Sequence, residues 1–283
     1  MAATQKTRQL KGAIRLNWRR FPWWLVIIIS FLVLMGYQLI VDEHYNRAYV
    51  YISGSVGTLA DLFSGDMLAF VGRGVSLTIY ITLSGFFFAM IIGLLVGLGR
   101  ISNNLLARTL AVTYIEFIRG VPTLVLIFTL ALVIVPSVLN FLGLENIGVS
   151  NTSRGTAALA IIYGAFLAEV FRAGIESVPK GQMEAARSLG MNYRQAMRYI
   201  ILPQAIRNIL PALGNDFIAM LKDSSLLSVL AVREITQLAR LHAGTTFRFR
   251  ETYLVLAFLY LLMTVSLSLL LRWYERRISS GRQ

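Results

Sequence analysis

Long apolar runs separated by short polar breaks constrain this chain more than any motif does. A helix needs about 20 apolar residues to cross a bilayer's hydrocarbon core. Six segments approach that length: Trp23–Val41, Ser76–Gly99, Pro122–Leu139, Thr156–Phe171, Ile206–Leu230 and Tyr253–Leu271. In lipid every backbone donor and acceptor must be satisfied internally, which runs of this length achieve as helices. The expected fold class is an all-α polytopic membrane protein. Composition agrees, with 56% hydrophobic and 14% charged residues, against about 25% charged in soluble domains. Trp23–Val41 is long for a signal peptide's apolar region and no small-residue cleavage site follows it, so it reads as a retained anchor.

Ile206–Leu230 is the weakest of the six because Pro211, Asn215, Asp216, Lys222 and Asp223 interrupt it. A span this polar cannot face lipid and is expected to line a protein interior or a watery path. The net charge of +13 raises nucleic-acid binding as a possibility, and its distribution removes it. With the N-terminus cytoplasmic, the inner segments hold Lys6 to Arg20, Arg100 and Arg108, the run Arg172 to Arg207, and Arg272 to Arg282. The outer segments hold fewer: Arg47, Arg73, Arg154, Arg233, Arg240, Arg248 and Arg250. This is the orientation signal of a multi-pass membrane protein. Both termini are expected inside, and nucleic acid is not an expected partner.

Enzymatic chemistry finds little footing. There is no cysteine, which excludes disulfides and thiolate chemistry. His44 and His242 lie far apart in segments read as loops, so no metal site is expected. The lysines are Lys6, Lys11, Lys180 and Lys222, and none follows the glycine pattern of a phosphate-binding loop. Gly93, Gly97 and Gly99 fit close helix packing in lipid. The stretch Ser137–Gly155, with Asn140, Gly143, Asn146 and Gly148, reads as an outer loop.

Residues 177–203 form a polar, basic island between apolar segments. Pro179 suits a first helical turn. Met183, Ala186, Leu189 and Gly190 share one side at helical spacing. Ala185-Ala186 keeps that surface low enough for a partner's groove to close over it. Gly190 can take the left-handed conformation that ends a helix, Asn192 and Gln195 resemble a capping box, and Leu202-Pro203 is expected to end the second helix. An ordinary helical cytoplasmic loop fits these features equally well.

The island also carries Glu184, Ala185, Ala186, Gly190, Ile200, Leu202 and Pro203 in the spacing Glu-Ala-Ala-x3-Gly-x9-Ile-x-Leu-Pro. This resembles the cytoplasmic signature of membrane subunits of bacterial ABC importers. Glu116-Phe-Ile-Arg119-Gly120-Val-Pro122, Ala168-Glu169-Val-Phe-Arg172-Ala-Gly174-Ile175 and Leu221-Lys222-Asp223-Ser224-Ser225-Leu226 narrow the resemblance to polar amino acid permeases of the histidine, glutamine or arginine type. It covers about residues 70–278.

The resemblance implies a type I importer transmembrane domain at 71–278, with a five-helix core. Residues 1–70 would add a basic cytoplasmic tail, an extra span and an outer-face segment with Asp42, Glu43, Asp61 and Asp66. A second permease subunit, identical or related, would complete the pathway in the bacterial cytoplasmic membrane. Two cytoplasmic ATPase subunits would dock on a coupling helix at about 179–190, through Lys180, Gly181, Glu184, Ala185, Ala186, Leu189 and Gly190, with Leu202 and Pro203 nearby. An extracytoplasmic binding protein would deliver the amino acid. ATP and magnesium would belong to the ATPases, and this chain is expected to be non-catalytic, with no cofactor of its own.

Charges within spans are functional candidates. An amino acid is a zwitterion, so Lys222 could meet its carboxylate, Glu169 and Asp223 its ammonium, and Ser224 and Ser225 could add hydrogen bonds. The alternative is that Lys222–Asp223 and Glu169–Arg172 simply neutralise one another, the latter at helix-pair spacing. Glu116 and Arg119, placed near the cytoplasmic end beside Gly120 and Pro122, suit a gate or helix break. Other function classes are an ion-coupled secondary transporter and a channel or scaffold. The first usually has repeated halves with broken helices, which are not evident here, and neither gives the island a role.

Overall fold

A computed structural model describes residues 23–54, 67–144 and 148–279 of the chain. The basic tail with Lys6 to Arg20, the acids Asp61 and Asp66, and Asn146 lie outside them, as does Arg282. The described residues contain helices and no strand. The first helix, α1 (Trp23–Val41), is apolar apart from Ser30 and Gln38. Asp42 then caps α2 (Glu43–Ser53), its carboxylate accepting from the His44 N–H at 2.8 Å. The chain turns by 103° between α1 and α2. His44 is therefore helical rather than in a loop.

α3 (Met67–Arg100) bends at Gly72, whose φ of 59° and ψ of 172° leave Gly72–Arg100 as the continuous span. Asn104 caps α4 (Leu105–Gly120), accepting from Leu106 and Ala107 N–H groups. Extended backbone at Val121 and Pro122 separates α4 from α5 (Thr123–Phe141), which contains a π-helical stretch at Thr129–Ile134. Ser150 caps α6 (Asn151–Glu176). The expected loop at 137–155 is shorter than the sequence suggested. α5 persists to Phe141 despite Pro136, and the serine cap starts α6 at Asn151.

α7 (Lys180–Ser188) and α8 (Tyr193–Ala196) form the island. A π-helical stretch, Met197–Ile201, then runs into α9 (Leu202–Asp223), continued by a 3₁₀ turn at Ser224–Leu230. Pro203 does not end the helix. Widening the preceding turn to π geometry accommodates a residue that lacks an N–H, and Pro203 sits at the start of α9. Last come α10 (Ile235–Thr246), which includes His242, and α11 (Phe249–Ser279).

Among the described residues, four helices are long and apolar enough to cross a membrane, and α1 with α2 would make a fifth, bent one. α9, at 22 residues, is about 33 Å long at 1.5 Å per residue. Its length suffices, but its polar residues set it apart. α6 is the central mast: 56% of its apolar window is buried, against 22% for α5 and α11. It packs into the main core with α3, α4 and α5. A second core joins α1 and α2 to α10 and α11 through Met35, Leu39, Tyr49, Ile52, Ile235 and Val255. A small third core, with Val178, Ile201, Ala205 and Ile209, ties the base of α6 to α9.

Candidate functional site

The island folds as a helix–turn–helix knob. Gly190 takes φ +85°, a conformation that costs a glycine nothing. Asn192 and Gln195 form a complete capping box, both bonds at 2.9 Å. Ala186 is 5% exposed and Leu189 82%, so the expected common side is divided. Ala186 and Met183 turn toward the body, Met183 packing on the Ile201–Ala205 core. Lys180, Gly181, Glu184, Ala185, Leu189 and Gly190 stay exposed, as do Leu202 and Pro203. An exposed apolar residue at the tip of a basic helix is a surface that a partner protein can cover.

Above the knob, at the same end of the bundle, lies a ladder of alternating charges. Glu169 of α6 accepts from Arg172 Nε at 3.1 Å and Nη2 at 2.9 Å through Oε2. Its Oε1 pairs with Arg100 of α3, and Arg172 also pairs with Glu176. A cavity of about 370 Å³ opens beside Glu169, lined also by Val170, Gly174, Ser177 and Asn208. Asn208 donates to the Ser177 hydroxyl at 2.9 Å.

The Lys222–Ser225 group is elsewhere. Asp223 accepts a 2.9 Å hydrogen bond from the Tyr163 hydroxyl, and Asp216 stands about two helical turns before Asp223 on α9. Six residues of α6 separate Tyr163 from Glu169, about 9 Å along the axis. The two sets are thus at different depths. Lys222 is exposed and makes no ion pair with a described residue. It does not neutralise Asp223. Ser224 is buried and donates to the Leu221 carbonyl at 2.7 Å, and Ser225 is half-buried.

Glu116 and Arg119 are exposed on α4. α4 starts beside Gly99, and its Tyr114 hydroxyl donates to the Ile161 carbonyl, near the middle of α6. The break at Gly120–Pro122 follows that contact, so it lies deeper in the bundle than the cytoplasmic margin the sequence suggested.

Two members of these groups carry no signal in the sequence. Arg100 reads as an orientation charge at the end of a span. Tyr163 reads as one more apolar residue of α6, although a buried tyrosine hydroxyl needs a partner. Their partners come from other helices, which no local spacing reveals.

Residues 68–280 match the family model described as "Binding-protein-dependent transport system inner membrane component". The chain is 39% identical over 229 residues to a probable glutamine ABC transporter permease protein of Bacillus subtilis (strain 168), covering 80% of this chain and 99% of the relative. It is 34% identical over 206 residues to the glutamine transport system permease protein of Escherichia coli (strain K12), covering 73% and 91%. A solved structure described as an amino acid ABC transporter with histidines superposes with a TM-score of 0.65 at 38% identity, over 79% of this chain and 99% of that one.

Proposed function

The chain belongs to the family of binding-protein-dependent transport system inner membrane components, and from that premise we propose how this amino-acid ABC transporter permease subunit works. It moves a polar amino acid inward across the cytoplasmic membrane, with both its termini inside. ATP hydrolysis in two separate ATPase subunits, docked on α7, drives the movement. A second permease subunit shares the pathway, and an extracytoplasmic binding protein supplies the amino acid.

One observation carries this reading: α7 is an exposed knob closed by Gly190, with Leu189 projecting from its tip. A groove on an ATPase closes over Lys180, Gly181, Glu184, Ala185 and Leu189, while Ala186 and Met183 seat the knob on α9. Displacement of the knob then reaches α6 through three residues, Ser177 to Pro179. Within the pathway, Asp223 and Asp216 face the amino acid's ammonium group with Tyr163 fixing the Asp223 carboxylate. Lys222 serves the carboxylate, and Ser225 adds a hydrogen-bonding group. The break at Gly120 and Pro122, with Glu116 and Arg119, forms a gate against the second subunit, since charges at that depth cannot face lipid.

The test is site-directed crosslinking in the intact complex from a photoreactive residue at position 189. The proposal requires an adduct with the ATPase; adducts only with lipid or with the binding protein would refute it. The substrate class is tested by competition among glutamine, histidine, arginine and leucine for binding-protein-dependent uptake. Competition by leucine alone would contradict a polar substrate.

A further inference from the structure

Glu169 needs only Arg172, three residues along the same helix, to be neutralised, yet Arg100 reaches it from α3 as well. All three side chains are largely enclosed, at 20% exposure for Glu169, 23% for Arg100 and 28% for Arg172. With Glu176 the ladder is electrically balanced. Arg100 is also the last residue of α3, where the helix dipole favours a cation. Glu169 Oε2 accepts from Arg172, and its Oε1 faces the Arg100 guanidinium in an ion pair, so both oxygens lie against arginines of the same subunit.

The spans joined by this contact also pack backbone to backbone at two glycines. A Cβ added at Gly93 would stand 2.7 Å from Leu167 Cβ, and one at Gly97 would stand 2.9 Å from the Ala168 carbonyl oxygen. Real Cβ atoms essentially never come that close. Below Glu169, α6 enters α7 through a wound link: Ser177 N–H donates to Ala173 O at 2.9 Å and Val178 N–H to Ile175 O at 3.4 Å. A push on the knob therefore enters α6 at the end where Arg100 grips it.

We propose that Arg100 and Glu169 are positioning residues that clamp α3 to α6, so that the two spans carry the displacement of α7 as one body. The proposal rests on the permease reading above and assigns Glu169 to force transmission instead of substrate contact. The clamp holds the cytoplasmic ends together; the glycine seam holds the middles. Without it, ATP is still hydrolysed on the docked subunits, but α6 moves without α3 and less amino acid crosses per ATP.

The chain's lack of cysteine makes a decisive test available. The double variant Arg100→Cys, Glu169→Cys removes the ion pair and leaves two thiols in its place. A short bifunctional thiol reagent with a cleavable disulfide then links α3 to α6 at the clamp itself. In the complete complex in proteoliposomes, glutamine, histidine and arginine are offered in turn, and uptake is measured against ATP hydrolysed. Glu169→Gln and Arg100→Gln, tested separately, should each lower uptake per ATP by at least about fivefold, the scale of a typical inter-site coupling. The double cysteine variant should lose the ratio to the same extent before bridging, the bridge should restore it, and a reductant that cleaves the bridge should abolish the rescue.

Normal uptake per ATP in both variants would overturn the proposal. So would a bridge that fails to rescue, since a lost substrate contact cannot be replaced by a crosslink. A bridge that lowers uptake further would show that α3 and α6 must separate, which overturns it equally. If Glu169→Gln does not assemble, Arg100→Gln and the bridged double cysteine variant still decide. A parent complex with no uptake at all would instead count against the permease reading.

Discussion

Glu234 is buried with no cationic partner among the described residues, an arrangement that costs free energy unless something offsets it. It caps α10, accepting from Thr236 and Gln237 N–H groups at 2.8 Å, and from the Tyr260 hydroxyl at 3.2 Å. These bonds favour the ionised form, but burial outweighs them and raises its pKa from 4.5 to about 7. The folded state then holds a proton more tightly than the unfolded one. The stabilisation is complete below pH 4.5 and is lost as pH rises toward 7. The melting temperature of the detergent-solubilised complex should therefore fall between about pH 4.5 and 7, and Glu234→Gln should flatten that dependence. An unchanged pH profile in the variant would contradict the account. At the pathway, Tyr163→Phe removes one hydroxyl and leaves its ring. Uptake should fall at least about tenfold, the value of one hydrogen bond to a charged group, with assembly intact by size-exclusion chromatography. The acids and lysine of α9 are legible in the sequence because charge is conspicuous in an apolar span. Tyr163 and Arg100 are not, because their roles depend on which helices become neighbours.

Among the elements, the knob is the most legible, since caps are local chemistry. Gly190, Asn192 and Gln195 act within a few residues of one another, and each does what its side chain or its lack of one dictates. Proline is harder to read for the complementary reason. Pro203 removes one donor, but whether a helix stops there depends on the preceding turn, and a π stretch at Met197–Ile201 lets α8 run into α9. The division of Ala185 from Ala186 likewise depends on the tertiary contact with α9. Gly190→Pro should disturb the turn, and Glu184→Lys should reverse a charge on the exposed side. Each should cut uptake at least about tenfold, the effect of about 1.4 kcal/mol of coupling, while the protein still inserts. Full coupling in both variants, measured as ATP hydrolysis stimulated by the loaded binding protein, would argue against docking at α7.

At the scale of the molecule, α1 and α2 are more than an anchor. Length and hydropathy locate the extra span in the sequence, but not the bend that lays α2 against α10 and α11. Taken alone, the sequence predicts that removing residues 1–45 leaves an active core. The structure revises this, because a cut at 45 falls inside α2 and uncovers Ile235, Val255, Leu256 and Leu259. Removing residues 1–54 should lower the melting temperature of the solubilised complex by several degrees. It should spare the α3–α6–α7 axis, so uptake per ATP in the surviving complex should stay near the parent value.

Energy supply tests the whole account most directly. Accumulation of labelled amino acid is measured in proteoliposomes holding this chain alone, and in others holding the full complex with binding protein and internal ATP. Concentrative uptake should appear only with the complex and vanish when ATP is replaced by a non-hydrolysable analogue. Accumulation by the chain alone, driven by a proton or sodium gradient, would contradict it.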